Sequence, residues 1–513
     1  VTSSGKTEIY IHLIEACLKK GKQVLYMLPE IALTIQIIQR LKRVFGNRVG
    51  VYHSRFNDNE RAETWMRASA KGKNRLDIIL GARSAVFVPF DQLGLVIIDE
   101  EHEGTFKQYM PSPRYHARDA AIMLAMRAGA KVLLGSATPA VESWYNAQQG
   151  KYGKVELLER HGGVKLPVVK RVSLKEARKK KEMQGPFTPE MVQSIQTALD
   201  KKEQVILFRN RRGYTPMWTC ESCGWVPRCD HCDVSLTYHK STHSLLCHYC
   251  GTTYKPHSRC GACGAQKLNM VGFGTEKIEE ETELLFPNAK ILRMDQDTTR
   301  NKNAHQAIIE KFEVGETDIL IGTQMVTKGF DFDKVSVVGI LQADATLSFP
   351  DFRAHEKAFQ LFTQVAGRAG RRDKRGEVIL QSSDPDHPIL EMVEKHAYKE
   401  FYTSEINERL KFAYPPFTRL IHLTLRHTDE TVVASGAAEL AAALRKKIGK
   451  RILGPEKPMV ARVRNKYLQQ LLVKLEKNAD TISMKEKIRE VVDEFRQFSD
   501  YKRVYVDIDV DPM

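Results

Sequence analysis

The stretch LGLVIIDEEH, residues 93–102, decides the fold of the first part of the chain. Its apolar, β-branched half is typical of a strand that is buried on both faces of a parallel sheet. Two carboxylates, Asp99 and Glu100, follow where the strand ends, and open α/β sheets bind their ligands at this edge. We interpret Asp99 as a ligand of Mg²⁺ and Glu100 as the group that polarises an attacking water. The alternative is a solvated acidic turn after a core strand.

Similar apolar runs recur on both sides of this stretch and alternate with helical segments. In the first part of the chain they occupy residues 23–29, 48–53, 77–81 and 131–138. A second series occupies residues 204–210, 289–295, 318–324, 335–341 and 377–382. Two successive series of this kind predict an α/β protein with two doubly wound lobes.

A phosphate-binding loop precedes the first of these strands. TSSGKT (2–7) matches the end of the pattern G-x-x-x-x-G-K-S/T, whose first Gly would lie before Val1, so we expect further N-terminal sequence. Lys6 would reach the β- and γ-phosphates, and Thr7 would bind Mg²⁺ together with Asp99. With this loop upstream, a solvated turn is disfavoured for the two carboxylates. The predicted nucleotide ligands are Ser4, Gly5, Lys6, Thr7 and Asp99.

Three further clusters suit coupling between two lobes: GSATP (135–139), GTQMVTKGFDF (322–332) and QVAGRAGR (364–371). In the last, Gln364, Arg368 and Arg371 share one helical face and would meet a γ-phosphate when the lobes close. Arginines on helices are more often solvated or ion-paired, but the Gly spacing and the order of the motifs favour the functional interpretation. The predicted catalytic residues, acting on ATP with Mg²⁺, are Lys6, Asp99, Glu100, Gln364, Arg368 and Arg371.

Eight of the nine cysteines form four C-x-x-C pairs within residues 220–263. This spacing indicates two structural zinc ions, each bound by four thiolates, with disulfides as the poorer alternative. The gap of five residues between Cys223 and Cys229 is tight for two knuckles, whereas the gap of fourteen between Cys232 and Cys247 suits a hairpin. We therefore favour nested pairing. The pairing stays open from spacing alone. One set is then Cys220, Cys223, Cys260 and Cys263, and the other is Cys229, Cys232, Cys247 and Cys250.

Composition limits the class of protein. Apolar residues make up 42% and no apolar run approaches the roughly 20 residues of a membrane helix, so we expect no membrane contact. Thiols kept for metal indicate a reducing compartment, which we take to be the cytoplasm. The net charge of +16 favours a polyanionic partner, although a merely basic enzyme would show it too.

The chain divides into six expected segments. The last, beyond residue 390, alternates as β-α-β-β-α-β and predicts a compact α+β domain of split-βαβ type. We expect lobe 1 (1–150), a linker or extension (151–200), the start of lobe 2 (201–217), the cysteine-rich insert (218–265), the remainder of lobe 2 (266–388) and the α+β domain (389–513).

These motifs together resemble superfamily-two helicases with a DEEH box, and more narrowly the PriA (primosomal protein N′) family. The resemblance covers the whole chain and also rests on HSRFNDNER (53–61), GARSAVFVPF (81–90) and YPPFTRL (414–420), with the cysteine insert as its most specific part. It implies two RecA-like helicase lobes with an eight-cysteine, two-zinc insert in the second lobe, and it agrees with the nested pairing. It also implies an N-terminal region that this sequence lacks.

The resemblance implies an ATP-dependent 3′→5′ DNA helicase that recognises stalled or abandoned replication forks. Such an enzyme unwinds the lagging arm and initiates primosome assembly for replication restart. The implied partners are single-stranded and forked DNA, the single-strand binding protein, primosome proteins and the replicative helicase loader. The alternatives are an RNA helicase, because the ATPase motifs do not distinguish the nucleic acids, and a zinc-stabilised DNA or protein scaffold.

The resemblance also suggests contact residues. An aromatic-rich loop would couple DNA contact to hydrolysis, because rings stack on bases while Arg meets phosphate. Its candidates are Phe106, Tyr109, Arg114 and Tyr115. Basic residues in the α+β domain would contact single-stranded DNA and the single-strand binding protein: Arg419, Arg445, Lys446, Lys447 and the run RVRNK (462–466).

Overall fold

The apolar run that ends at Asp99 is an inner strand, between β1 and β5, of a five-stranded parallel sheet with the order β2-β3-β1-β4-β5. All five strands predicted for this lobe are confirmed. In chain order the elements of lobe 1 are α1 (Lys6–Leu18), β1 (Gln23–Met27), α2 (Ile35–Phe45), β2 (Val49–Tyr52), α3 (Asp58–Ser69), β3 (Ile78–Gly81), β4 (Leu93–Asp99), α4 (Ala117–Ala128), β5 (Lys131–Gly135) and α5 (Val141–Gln148).

The structure is a computed structural model. It describes residues 4–29, 35–53, 56–160, 163–210, 217–220, 222–223, 225–239, 244–266, 268–271, 274–295, 298–299, 304–327, 332–370 and 375–513. The chain forms two compact units. One comprises residues 1–211 with 275–405, and the other comprises residues 212–274 with 406–513.

Lobe 2 begins earlier than expected. Residues 151–200, predicted as a linker or extension, contain β6 (Val168–Ser173), α6 (Leu174–Lys179) and α7 (Pro189–Asp200). β6 pairs in parallel with a strand of the second sheet, and α7 buries Met191 and Ile195 in the core of that lobe. The prediction of a linker is therefore wrong for residues 168–200, because the edge strand β6 mixes polar and apolar residues and lacks the continuous apolar run of a central strand.

β7 (Gln204–Arg209) is the next strand of lobe 2, and five strands of the cysteine-rich insert follow it in the chain. The insert contains β8 (Met217–Cys220), β9 (Thr237–His239), β10 (Ser244–Leu246), β11 (Thr253–Tyr254) and β12 (Leu268–Val271). β12 pairs with β8, so the two ends of the insert lie side by side.

Lobe 2 resumes after the insert and completes a six-stranded parallel sheet with the order β13-β14-β7-β15-β16-β6. Every strand of the second predicted series is confirmed. The elements are α8 (Thr275–Leu285), β13 (Ile291–Met294), α9 (Ala304–Val314), β14 (Ile319–Gly322), β15 (Val335–Leu341), α10 (Asp344–Leu347), α11 (Ala354–Ala366), β16 (Glu377–Ser382), α12 (Pro388–Glu394) and α13 (Tyr398–Lys411).

Each lobe has a buried glutamine at the first position of a central strand. In lobe 1 the Gln23 side chain donates to the carbonyls of Ala68 and Leu76 and accepts from two backbone N–H groups. In lobe 2 the Gln204 side chain donates to the carbonyls of Phe312 and Thr317. Such buried amides fasten loops to the sheet edge, because a buried polar group without partners is costly.

The C-terminal region has the predicted split-βαβ topology, with all pairs antiparallel and the order β18-β20-β17-β21. Its two helices supply half of one apolar core. The short β19 pairs with the beginning of β20. The elements are β17 (Thr418–His427), α14 (Glu430–Ile448), β18 (Ile452–Glu456), β19 (Arg462–Val463), β20 (Lys466–Glu476), α15 (Thr481–Phe495) and β21 (Tyr505–Val510).

Across the described ranges, no helix combines the length and apolar character that a membrane crossing requires.

Candidate active site and cysteine clusters

The phosphate loop and the carboxylates after β4 meet in lobe 1. Gly5 precedes α1 with φ +82°, a left-handed conformation that suits glycine. Lys6, the first residue of α1, donates from Nζ to Glu100 Oε1 at 3.3 Å and lies 3.6 Å from Asp99 Oδ1. Burial lowers the pKa of Lys6, but Glu100 and Asp99 more than offset this, so its pKa is raised. The structure thus brings together Lys6, Asp99 and Glu100 as predicted from the sequence.

Glu100 occupies a strained backbone position. Its φ of +49° lies in the left-handed region, which costs a non-glycine residue on the order of 1 kcal/mol, and such strained residues cluster at functional sites. Burial raises the pKa of Glu100, yet Lys6 and His102 outweigh burial and lower it to about 2. Glu100 is therefore a carboxylate across the physiological pH range.

Asp99 is positioned by Tyr10, whose hydroxyl donates to Asp99 Oδ1 at 3.1 Å. The contact requires glycine on the neighbouring strand, because a Cβ at Gly135 would lie 1.8 Å from the Tyr10 hydroxyl. Burial raises the pKa of Asp99. A divalent cation would reverse this, since metal coordination favours the ionised form.

Lobe 2 contributes Gln364 from α11. Gln364 Nε2 donates to Glu100 Oε2 at 3.2 Å and lies 2.6 Å from His102 Nε2. Arg368 is close enough to Glu100 to lower the pKa of that carboxyl, while burial lowers the pKa of Arg368 itself. The predicted Arg371 lies outside the described residues.

Sequence reasoning missed the part that His102 has in this network. His102 Nδ1 lies 2.7 Å from Ser136 Oγ, which also accepts from the Thr138 backbone N–H. Of the GSATP hydroxyls, that of Ser136 contacts His102, and the Thr138 side chain is buried. In the sequence, the signals that could have indicated this contact were the His of DEEH and the Ser of GSATP.

The phosphate loop has the features that a bound nucleotide requires. Ser4 Oγ is buried and makes no hydrogen bond within the described residues, and a Cβ at Gly5 would meet no atom within 4 Å. Such a cradle, at the N-terminus of α1, suits phosphate oxygens. Ser4, Gly5 and Lys6 would hold the phosphates, and Thr7 and Asp99 would hold Mg²⁺.

The aromatic loop agrees only partly with its predicted role. Phe106 is completely buried in the core of lobe 1, so the expectation that it stacks on bases is wrong. Arg114 donates to the Tyr109 carbonyl at 2.9 Å and shapes the loop. Tyr115 packs edge-on against Phe87, with ring centroids 4.9 Å apart. Tyr109, 47% exposed, keeps an accessible ring.

The eight insert cysteines lie in two groups of four, and within each group all sulfurs are within 4.8 Å. The groups are the nested sets: cluster 1 is Cys220, Cys223, Cys260 and Cys263, and cluster 2 is Cys229, Cys232, Cys247 and Cys250. Neighbouring sulfurs lie 3.6 Å apart. A tetrahedral zinc site with Zn–S bonds of about 2.3 Å has edges of about 3.8 Å, whereas a disulfide needs about 2.05 Å. Both clusters therefore suit structural zinc.

Cluster 2 is fastened to a hairpin of the C-terminal domain. The Arg464 backbone N–H donates to Cys232 Sγ at 3.2 Å, and the Asn465 N–H donates to the His231 carbonyl at 2.8 Å. The Asn465 side chain also lies 3.0 Å from His231 Nδ1, beside cluster 2. Val463 packs against the apolar side of the cluster. The predicted basic run RVRNK is thus in part a docking element.

The aromatic residues of the insert mainly form its small core. Tyr238 is buried, and the Tyr254 hydroxyl lies 3.3 Å from Cys229 Sγ. Trp225 packs against His257, with ring centroids 5.4 Å apart. Tyr249 is 49% exposed, so its ring remains available to a partner.

Family models match four stretches of the chain. They are described as DEAD/DEAH box helicase (residues 1–146), PriA DNA helicase Cys-rich region domain (229–256), Helicase conserved C-terminal domain (265–373) and Primosomal protein N C-terminal domain (411–513). The Cys-rich match contains all of cluster 2 and excludes cluster 1.

Curated relatives match the chain from end to end. Replication restart protein PriA of Haemophilus influenzae is 39% identical over 513 residues, which are 99% of this chain and 68% of that protein. The chain belongs to the PriA family. Replication restart protein PriA of Bacillus subtilis is 40% identical over 514 residues, and the chain spans 63% of its length. Among solved structures, the helicase MrfA bound to DNA is similar to this PriA-family chain, with 15% identity, a TM-score of 0.46, and coverage of 79% of this chain and 45% of that one.

Proposed function

We propose that this PriA-family protein is an ATP-dependent 3′→5′ DNA helicase that unwinds the lagging arm at stalled forks and initiates primosome assembly. The observation that carries the proposal is Glu100, which accepts from Lys6 of lobe 1 and from Gln364 of lobe 2. A carboxylate joined to both lobes makes hydrolysis depend on their relative position. That is what a translocating motor requires.

In this mechanism each residue has a separate task. Lys6 holds the terminal phosphates, and Thr7 and Asp99 hold Mg²⁺, which supplies charge to neutralise the transferring phosphoryl group. Glu100, ionised and aimed by its two partners, orients the attacking water and accepts its proton. Gln364 and Arg368 of lobe 2 come close to Glu100 when the lobes close, so the state of Glu100 depends on closure.

The proposed partners follow from charge and family membership. A net charge of +16 suits single-stranded and forked DNA, because basic side chains release counterions on binding. Two structural Zn²⁺ ions would hold the insert in shape, and the single-strand binding protein, primosome proteins and helicase loader would bind in the cytoplasm. An RNA helicase remains the second candidate, since Lys6, Glu100 and Gln364 are equally suited to either nucleic acid.

ATP hydrolysis in the presence of single-stranded DNA, forked DNA or RNA tests the proposal. We expect DNA to stimulate turnover and Lys6→Ala to reduce it about 100-fold or more, because it removes the phosphate-binding charge. Lys19→Ala, an exposed change at the other end of α1, is the matched control. Stimulation by RNA alone would indicate the other helicase class, and DNA binding without turnover would indicate a scaffold.

Direction of movement needs a separate measurement. Strand displacement from duplexes with a 3′ or a 5′ single-stranded tail distinguishes the two polarities. We expect unwinding with the 3′ tail, and equal or greater unwinding with the 5′ tail would contradict the proposed direction.

A further inference from the structure

The N-terminus of α5 lacks a cap of its own. Its N-cap residue is Ala140, which has no side-chain acceptor for the free N–H groups of the first turn. Two buried carboxylates from elsewhere supply the missing acceptors. Glu101 accepts from the Ala140 N–H at 2.8 Å, and Glu356 accepts from the Val141 N–H at 2.9 Å.

The two carboxylates come from different lobes. Glu101 follows Glu100 in lobe 1 and is neutralised by Arg118, at 2.9 Å. Glu356 belongs to α11 of lobe 2 and is paired with Arg353, at 3.1 Å. Arg353 in turn lies 2.5 Å from Glu142 of α5. The N-terminus of one lobe 1 helix is thus satisfied in full only when lobe 2 is in place.

Glu356 shares a helix face with the residue that contacts the catalytic carboxylate. Glu356, Gln360 and Gln364 are spaced by four residues and therefore lie on one side of α11. Gln360 Nε2 donates to the Thr138 carbonyl at 3.4 Å, and Gln364 donates to Glu100. This face of α11 contacts lobe 1 at three successive points, and the one at Glu356 is the most buried, with 3% exposure.

We propose that Glu356 is a positioning residue of the ATPase: by binding the N-terminus of α5 it sets the place of α11, and with it the contact of Gln364 with Glu100. The inference rests on the proposed function. Loss of the Glu356 carboxylate leaves the Val141 N–H without its acceptor and removes one of the two carboxylates that pair with Arg353, the other being Glu142. Lobe closure then no longer places Gln364 correctly.

Steady-state ATP hydrolysis with saturating oligo-dT tests this role. We expect Glu356→Ala to lower kcat about 10- to 100-fold, the usual effect of losing a buried hydrogen bond to a charged group. The KM for ATP should stay within about 2-fold, because the phosphate loop and Asp99, which would hold the nucleotide and Mg²⁺, lie in lobe 1 and are untouched by the substitution. Glu356→Gln keeps an acceptor for the Val141 N–H and should recover most of kcat. Glu391→Ala, on the exposed side of α12, is the control.

A wild-type kcat in Glu356→Ala would overturn the proposal. A second contradictory pattern is an equal fall of ATP affinity and kcat in Glu356→Ala, with neither restored in Glu356→Gln, because this pattern indicates general damage to the site. If the unaltered protein shows no DNA-dependent turnover, the proposed function fails instead. Hydrogen exchange of the peptide 139–147 then decides the matter by itself: Glu356→Ala should speed exchange at Val141, and unchanged exchange contradicts the contact.

Discussion

The cleft between the lobes and the cysteine clusters both concentrate ionisable side chains, but they hold them together differently. In the cleft, Lys6, Glu100 and Gln364 come from segments far apart in sequence and from two lobes. In each cluster, two C-x-x-C pairs supply every ligand from one short insert. The cleft depends on the arrangement of whole domains, whereas a cluster closes on itself once a metal is present.

This difference predicts what each region contributes. The backbone of Glu100 is strained, and its carboxylate and Lys6 lie together where a ligand would bind. These features serve chemistry more than stability. The clusters have a complete set of four ligands, which serves stability and leaves no open position for a substrate. Substitutions in the cleft should therefore lower turnover more than stability, and substitutions in the clusters should lower stability.

The largest expected effect is on turnover in the cleft. Glu100→Gln should lower DNA-stimulated ATP hydrolysis about 10²- to 10⁴-fold, because it removes the proton acceptor. The midpoint of thermal unfolding should hardly change, since Asp99 remains beside Lys6. Glu63→Gln, exposed on α3, is the control for loss of one charge. Comparable losses of turnover and stability would break the contrast between the regions.

The two clusters should differ in stability. Cys232→Ala and Cys223→Ala should each remove one zinc by metal analysis. The free energy of unfolding of the unit that contains the C-terminal domain should fall about 2 kcal/mol further in Cys232→Ala, because the Arg464 N–H loses its acceptor. Cys223 is exposed and has no such partner among the described residues of the C-terminal domain. Equal losses in the two variants, measured by urea unfolding, would show that docking on the hairpin adds nothing.

Acid should distinguish the regions without any substitution. The pKa of Glu100 is lowered from 4.5 to about 2, chiefly by Lys6 and His102, so Glu100 stays ionised until the pH falls well below 4.5. Zinc binding requires thiolates and weakens as the pH falls. Between pH 7 and 5 we expect zinc release, followed with a chromogenic chelator, while Glu100 stays ionised. Loss of turnover that tracks protonation of Glu100 above pH 5 would contradict this assignment.

The smallest expected effect concerns the hairpin itself. Arg464 and Asn465 have φ of +50° and +58°, the pair of positive values that a type I′ turn requires. Asn465→Ala should destabilise the domain by about 1–2 kcal/mol, through left-handed strain and the lost contact with His231. Asn465→Gly keeps the turn and removes only the side chain, so it should cost about half as much. If both variants match the wild type in chemical unfolding, the hairpin is not held by cluster 2.

Much of the fold could be predicted because local pattern and final environment coincide. A central parallel strand is buried on both faces, so its apolar run is continuous. All ten predicted strands were found, and the edge strands β2, β5 and β13 among them also have mainly apolar sequences. β6 escaped prediction because an edge strand mixes polar and apolar residues, as VVKRVS (168–173) does. The prediction for Phe106 was wrong for a related reason. The sequence of a polar loop does not show whether an aromatic side chain in it is exposed or buried.

The sequence by itself determined the chemistry of this protein. It specified the phosphate loop, the carboxylates after β4 and the four C-x-x-C pairs, because each depends on spacing within a short segment, whereas the grouping of the pairs into two sets stayed open. The tertiary structure alone decided which distant groups meet: Gln364 with Glu100, Glu356 with the N-terminus of α5, and the hairpin with cluster 2. Such contacts depend on how whole elements pack, and hydrophobic periodicity carries information about burial but none about which polar partner is opposite.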